Sequence, residues 1–268
     1  MNLTISNLSW DFSDNELITK LLKKKKISFI EFSPDLLLNN NFKKINKLKI
    51  KKFWDSKSIK LYSMQSILYN IENAYLFGNS IQRKNFLEEI KKKISLSKYF
   101  GTKIIVFGSP KNRKTFNKKK FLLNKYSIQI FKKIANYSKK KNILFCLEAN
   151  PKIYKSEYLN YTIEAIKLIK KINNSHLRIN LDLSTMIANK ENIEKIVGEN
   201  INLIKHAQVS VPYLSDIFKF KKEIKKFIKI LKKNNYKSAI SIEMLKNKKT
   251  NIAEIEKRID FVQNLIKN

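Results

Sequence analysis

The chain has 268 residues, of which 43% are hydrophobic and 11% aromatic, so it is long enough to bury the core of one barrel-sized domain. Its single cysteine excludes an internal disulfide and a cysteine-cluster zinc site, and no apolar run of about 18 residues predicts a membrane span. The formal charge of +34 comes mainly from lysines scattered along the chain. This pattern is better explained by the codon bias of an AT-rich genome than by a surface that binds nucleic acid specifically.

Eight short apolar runs with β-rich composition predict strands, and lysine-rich amphipathic segments lie between them. In chain order the predicted strands are 3–9, 27–33, 60–66, 103–109, 142–148, 177–183, 203–210 and 238–244. The predicted helices are 14–24, 83–99, 116–141, 156–171, 189–199, 216–234 and 251–267. The connection at 35–53 is the least regular, and its helical pattern is weak.

The alternation of strands and helices is typical of parallel βαβ units. Eight units of about 33 residues each predict an α/β fold, the (β/α)₈ TIM barrel, with residues 1–268 as a single domain. A doubly wound open sheet is the alternative, but that fold would have a glycine-rich first turn, which this sequence lacks.

Polar side chains end several of the predicted strands. Glu148 follows the apolar run "ILFCL", Asp182 ends "INLD" and Glu243 ends "SISIE", while strand seven supplies His206 and Gln208. The carboxyl ends of barrel strands surround the active site, so these side chains are expected to converge. Three carboxylates at one point repel one another unless a cation or shared protons neutralise them. The pattern therefore predicts a bound divalent metal ion, and solvated acids at separate strand ends are the alternative.

Five segments, "GTKIIVFGSPKNR", "CLEANP", "LDLSTM", "HAQVSVPYL" and "SIEM", resemble the xylose-isomerase-like barrels of the sugar phosphate isomerase/epimerase group. The resemblance implies that one divalent ion is held at the positions of Glu148, Asp182, Gln208 and Glu243. Mn²⁺ or Mg²⁺ is favoured, and Co²⁺ or Zn²⁺ is possible. Glu148 and Glu243 match the family's two proton carriers. The implied reaction is proton transfer next to a carbonyl, through an enediolate, in a sugar or sugar phosphate.

Two positions depart from the family pattern. Gln208 stands where the family usually has the second histidine of an H-x-H pattern, and Thr185 replaces a histidine that often follows the aspartate. An amide oxygen ligates a hard cation more weakly than imidazole ligates a transition metal. The departures favour Mg²⁺ or Mn²⁺ at lower affinity. The alternative is a non-catalytic or altered sugar-binding barrel that has lost part of the metal site.

Three further residues are candidates for binding the substrate. Arg113, after strand four, could hold a phosphate or several hydroxyl groups, or could be a solvated loop residue. Asn150 could bond a sugar hydroxyl or shape the turn before Pro151. His206 shares a strand face with Gln208, so it could contact the substrate or pack between neighbouring elements.

Other functions and partners follow from the same sequence. A nuclease for abasic DNA would resemble a three-zinc design that depends on several histidines, and this chain has two, so we expect no specific nucleic-acid partner. A dehydratase or lyase acting on a polyol is a further alternative. The N-terminal segment lacks the pattern of a signal peptide, so we expect a cytoplasmic protein with no membrane partner and possible homo-oligomerisation.

Overall fold

The computed structural model describes residues 1–247 and 250–268, and within these ranges eight parallel strands close into a barrel. Each strand pairs with the next in sequence, and the last pairs with the first. The strands are β1 Asn2–Ser6, β2 Phe29–Phe32, β3 Lys60–Met64, β4 Ile104–Phe107, β5 Leu144–Leu147, β6 Leu177–Asp182, β7 Ile204–Val209 and β8 Ala239–Ile242. The predicted (β/α)₈ barrel is confirmed, and closure of the sheet excludes the doubly wound alternative.

Helices surround the barrel. They are α1 Asn15–Lys24, α2 Pro34–Leu37, α3 Lys44–Ser56, α4 Ser80–Phe100, α5 Lys120–Lys141, α6 Thr162–Ile172, α7 Leu183–Ala188, α8 Ile193–Asn200, α9 Lys221–Lys233 and α10 Ile252–Lys267. Among the residues that the structure describes, none of these helices is long and apolar enough to cross a membrane.

Helix bounds differ from the prediction where local backbone chemistry decides them. Helix α5 begins four residues later than predicted, because Phe116 and Asn117 adopt the left-handed backbone conformation, which a right-handed helix excludes. Helix α4 begins three residues earlier, because Asn79 Oδ1 accepts a hydrogen bond of 2.9 Å from the Gln82 amide and caps it. The weakly predicted connection after β2 contains two separate helices, α2 and α3.

The barrel is apolar at its base and polar towards its mouth. Between sheet and helices, Phe107 of β4 packs against Phe86 of α4 and Phe131 of α5, with ring centroids 5.6 and 5.8 Å apart. Inside the barrel, Val106 and Cys146 belong to a small apolar cluster with three neighbours, Tyr62, Ile104 and Leu144. Because side chains alternate along a strand, the next inward residue of β5 beyond Cys146 is at position 148. On this side of the barrel the base is therefore a filled apolar core, and the first polar side chain of β5 lies at the carboxyl end of the strand.

Candidate active site

Three carboxylates meet at the carboxyl-terminal mouth of the barrel. Glu148 directly follows β5, Asp182 is the last residue of β6, and Glu243 directly follows β8. Burial and the nearby Asp182 carboxylate raise the pKa of Glu148 to about 8. Burial and the charges of Glu148 and Asp182 raise the pKa of Glu243 well above its usual range, and burial raises the pKa of Asp182. The strand ends bring these acids close enough to disfavour one another's ionisation.

Glu148 is held by amide groups on both sides and by a guanidinium behind it. Asn150 Nδ2 donates to Glu148 Oε1 at 2.6 Å, and Asn180 Nδ2 donates to Glu148 Oε2 at 2.9 Å. Arg113 donates through Nη1 to the Glu148 carbonyl oxygen at 3.1 Å and through Nη2 to Asn150 Oδ1. Arg113 is fully buried, whereas Glu148 stays partly exposed. Of the predicted substrate-binding residues, Asn150 thus lies beside the carboxylate and Arg113 lies behind it.

The close approach of Glu148 to β4 depends on Gly108, the residue that follows this strand. A Cβ at this position would lie 2.7 Å from Glu148 Oε1 and 3.1 Å from Asn150 Oδ1, which is inside van der Waals contact. The requirement here is for space beside the carboxylate. Gly108 is therefore part of the site, although no pattern in the sequence singled it out.

Asp182 is both the end of β6 and the N-cap of α7. Its Oδ2 accepts hydrogen bonds from the Thr185 amide at 2.9 Å and from Thr185 Oγ1 at 2.8 Å, and its Oδ1 accepts one from Ser210 Oγ. Aspartate is among the preferred N-cap residues, which explains why a helix starts directly after this strand. Thr185, which departs from the family pattern, holds the Asp182 carboxylate in this chain.

His206 and Gln208 of β7 belong to a buried polar network inside the barrel. His206 Nε2 lies 2.6 Å from Glu31 Oε1, and both side chains are fully buried. Gln208 Nε2 donates to Glu31 Oε2 at 2.9 Å and to Gln65 Oε1 at 3.0 Å, while Gln208 Oε1 accepts from Asn180 Nδ2. Burial opposes ionisation of Glu31, but the charge of His206 and the hydrogen bonds from His206 and Gln208 outweigh it and lower its pKa.

Sequence reasoning missed three residues of this network, namely Glu31, Gln65 and Asn180. Glu31 is a lone acid within the apolar run "SFIEF", the same signal that identified Glu148, but it lies inside its strand and not at its end. Asn180 lies two residues before Asp182 and so shares its strand face. Its Nδ2 links Glu148 to Gln208, which makes it the bridge between β5 and β7.

The donor set suits a hard divalent cation, although it is not arranged around one. Glu148, Asp182 and Glu243 supply carboxylate oxygens and Gln208 an amide oxygen, and Mg²⁺ and Mn²⁺ prefer such ligands. A cation would also relieve the repulsion that raises the three carboxyl pKa values. Within residues 1–247 and 250–268, no three His, Cys, Asp or Glu side chains stand ready to hold a metal ion. Protein donors instead occupy the oxygens of Glu148 and Asp182.

Comparison with known proteins gives the same fold. The family described as "Xylose isomerase-like TIM barrel" matches residues 20–265 of this chain. Among curated proteins, none matches the sequence. The solved structures described next are 14–15% identical to this chain.

Three of these solved structures bear on the site. The 3-keto-D-glucoside 4-epimerase YcjR from E. coli is 15% identical with a TM-score of 0.77, and the match covers 100% of both chains. A D-psicose 3-epimerase, crystallised in the presence of D-fructose, is 14% identical with a TM-score of 0.78, over 100% of this chain and 97% of that one. The IolI protein with a bound zinc atom is 14% identical with a TM-score of 0.72, over 99% and 96%. At these identities the likeness establishes the fold.

Proposed function

Because the chain belongs to the family of xylose isomerase-like TIM barrels, we propose that it is an isomerase or epimerase acting on a sugar or sugar phosphate. The observation that carries the proposal is the pair Glu148 and Glu243 at the barrel mouth, both partly exposed and both with raised pKa values. Raised carboxyl pKa values near neutrality suit general acid–base catalysis. The two sugar epimerases described above, YcjR and the D-psicose 3-epimerase, support the choice of substrate class.

A divalent cation would be held by Glu148, Asp182 and Glu243, with Gln208 Oε1 as a fourth oxygen. Mg²⁺ or Mn²⁺ is favoured because all four donors are oxygens, and Co²⁺ or Zn²⁺ is possible. When bound, the cation would polarise the carbonyl and hydroxyl oxygens of the substrate and so acidify the adjacent C–H. The zinc atom in the IolI structure is consistent with a cation in this fold.

The two glutamates would move the proton. One removes a C–H proton next to the carbonyl to give an enediolate, and the other returns a proton. In the closed ring β5 and β8 are three strands apart, so the carboxylates approach the mouth from different sides. Return of the proton to the opposite face gives an epimer, and return to the neighbouring carbon gives an aldose–ketose isomer. We assign proton removal to Glu148, because Asn150, Asn180 and Arg113 favour the ionised form, which is the form that can accept a proton.

The remaining predicted residues take supporting places in this proposal. Asn150 would contact a sugar hydroxyl beside Glu148. Arg113 would act through Glu148 and Asn150, and His206 through Glu31, because both are buried against these partners. A cytoplasmic location and a homo-oligomeric state stay predictions.

Deuterium exchange tests the proposal directly. Metal-stripped protein supplied with Mn²⁺ is incubated in D₂O with ketoses and their phosphates, and NMR follows deuterium at the carbon next to the carbonyl. We expect exchange in the wild type and a loss of about 100-fold or more in Glu148→Gln and Glu243→Gln. Glu199→Gln, which changes an exposed glutamate of α8, is the matched control. Stabilisation by a sugar without any exchange would instead support an altered, binding-only barrel.

A further inference from the structure

The Gln208 side chain ends in two groups of similar size and opposite character. Only the carbonyl oxygen can ligate a cation or accept a hydrogen bond, whereas the NH₂ group can only donate. The orientation of this amide therefore decides whether position 208 adds a ligand to the three carboxylates or places a partial positive charge against them.

The NH₂ end of Gln208 is fully used on the side facing β2 and β3. One hydrogen goes to Glu31 Oε2 at 2.9 Å and the other to Gln65 Oε1 at 3.0 Å. Gln65 Nε2 in turn donates to Ser6 Oγ, which directs the Gln65 carbonyl towards Gln208. Glu31, Gln65 and Gln208 are at most 3% exposed, so water does not substitute for these partners.

Glu31 is the decisive partner, because an ionised carboxylate accepts hydrogen bonds and cannot donate them. Its other oxygen, Oε1, lies 2.6 Å from His206 Nε2 and accepts from Ser63 Oγ at 3.1 Å. A reversed Gln208 would place its carbonyl oxygen against the Glu31 carboxylate. Two hydrogen-bond acceptors in contact inside the barrel would destabilise the fold, because neither oxygen would have a donor and water does not reach them.

The carbonyl end of Gln208 is fixed from the opposite side. Asn180 Nδ2 donates both to Gln208 Oε1 and to Glu148 Oε2, so reversal of Gln208 would set two NH₂ groups against each other. Rotation of the Asn180 amide could avoid that contact, but it would remove the hydrogen bond to Glu148. The hydrogen bonds at both ends of the Gln208 amide therefore favour the same orientation, with the oxygen on the side of the carboxylates.

We infer that Glu31, supported by Gln65, is a positioning residue that turns Gln208 into an oxygen ligand and thereby shifts the preference of the site from Zn²⁺ towards oxygen-preferring cations such as Mn²⁺. The inference rests on the proposed function, since it assumes that the carboxylates bind a cation. It adds a residue on the far side of the barrel that sets which cation is bound. Groups that orient metal ligands typically change metal affinity by about 10–100-fold when they are removed.

Mn²⁺ binding to the metal-stripped protein tests this role without measuring activity. The EPR signal of free Mn²⁺ reports the dissociation constant, and competition with Zn²⁺ reports the preference. Glu31→Leu removes the acceptor and should weaken Mn²⁺ binding by about tenfold or more. Glu31→Gln can present its oxygen to Gln208 and its NH₂ to His206, so it should keep nearly the wild-type affinity. Thermal unfolding in EDTA shows whether each variant is folded.

A second variant keeps Glu31 and changes the residue that it orients. In Gln208→His, Glu31 would accept from one ring nitrogen and leave the other free, so the preference should shift towards Zn²⁺ by about tenfold or more. Three outcomes would each overturn the inference alone. They are an unchanged Mn²⁺ affinity in folded Glu31→Leu, a loss of Mn²⁺ affinity in Glu31→Gln equal to that in Glu31→Leu, and an unchanged preference between Mn²⁺ and Zn²⁺ in Gln208→His. Absence of any Mn²⁺ binding in the wild type would overturn it together with the metal site, and binding without C–H exchange would overturn only the proposed reaction.

Discussion

Replacing Glu148 by glutamine should stabilise the metal-free protein at alkaline pH while abolishing its reaction. Burial and the Asp182 carboxylate raise the pKa of Glu148 from 4.5 to about 8, so the folded state binds a proton that the unfolded chain releases. Because the folded-state pKa is raised, the contribution of Glu148 is fully present below pH 4.5 and is lost as the pH rises through about 8. Glutamine carries no proton to lose, so Glu148→Gln removes this dependence.

The size of the effect follows from proton linkage. A carboxyl group whose pKa rises from 4.5 to about 8 lowers the free energy of unfolding by about 3.5 kcal/mol between pH 5 and pH 8. Glu148 is partly exposed at the mouth, and solvent screening reduces this to about 2 kcal/mol. In a chain of this size that corresponds to a difference in Tm of about 4–8 °C.

Urea unfolding in EDTA, followed by the fluorescence of the buried Trp10 and Trp54, measures the free energy of unfolding at pH 5 and pH 8. The wild type should lose more stability between the two pH values than Glu148→Gln does. Comparing each protein with itself cancels the altered hydrogen bonds to Asn150 and Asn180. Equal pH dependence in the two proteins would show that Glu148 is not held among neighbouring negative charges, and the electrostatic argument for a cation site would fail with it.

Three further outcomes are expected. Gly108→Ala should lower the free energy of unfolding by about 1 kcal/mol or less, because the nearest atom to the new methyl group is the end of the Glu148 side chain. It should nevertheless reduce C–H exchange strongly. Gly198→Ala is the control, because the nearest atom to its new methyl group is 3.7 Å away. At a Mn²⁺ concentration of a hundred times Kd, the free energy of unfolding of the wild type should rise by about 2.7 kcal/mol, which thermal unfolding measures. Asp182→Asn, which keeps a capping oxygen for α7, should gain far less, and an equal gain would place the cation elsewhere. The lowered pKa of Glu31 stabilises the folded protein above pH 4.5, and this stability is lost as the pH falls through the folded-state pKa. Glu31→Gln should therefore lose less stability than the wild type between pH 5 and pH 3. Urea unfolding at the two pH values measures the difference.

Much of this protein could be predicted from the sequence because the relevant signals are local. Strand alternation and helix periodicity depend on residues a few positions apart, and they predicted the eight-stranded barrel. The rule that barrel sites form at strand ends then selected Glu148, Asp182 and Glu243, each after an apolar run, and the structure brings them together.

What only the tertiary structure decided is how the buried polar groups pair. Glu31 and His206 are 175 positions apart, and nothing within either strand indicates that barrel closure sets one against the other. The same closure buries Arg113 behind Glu148, where the sequence left a substrate contact and a solvated loop position as alternatives, and it orients Gln208 through Glu31 and Asn180. Local patterns record which side chains point inward, but hydrogen-bond partners across a barrel depend on its closed geometry, which no short stretch of sequence contains.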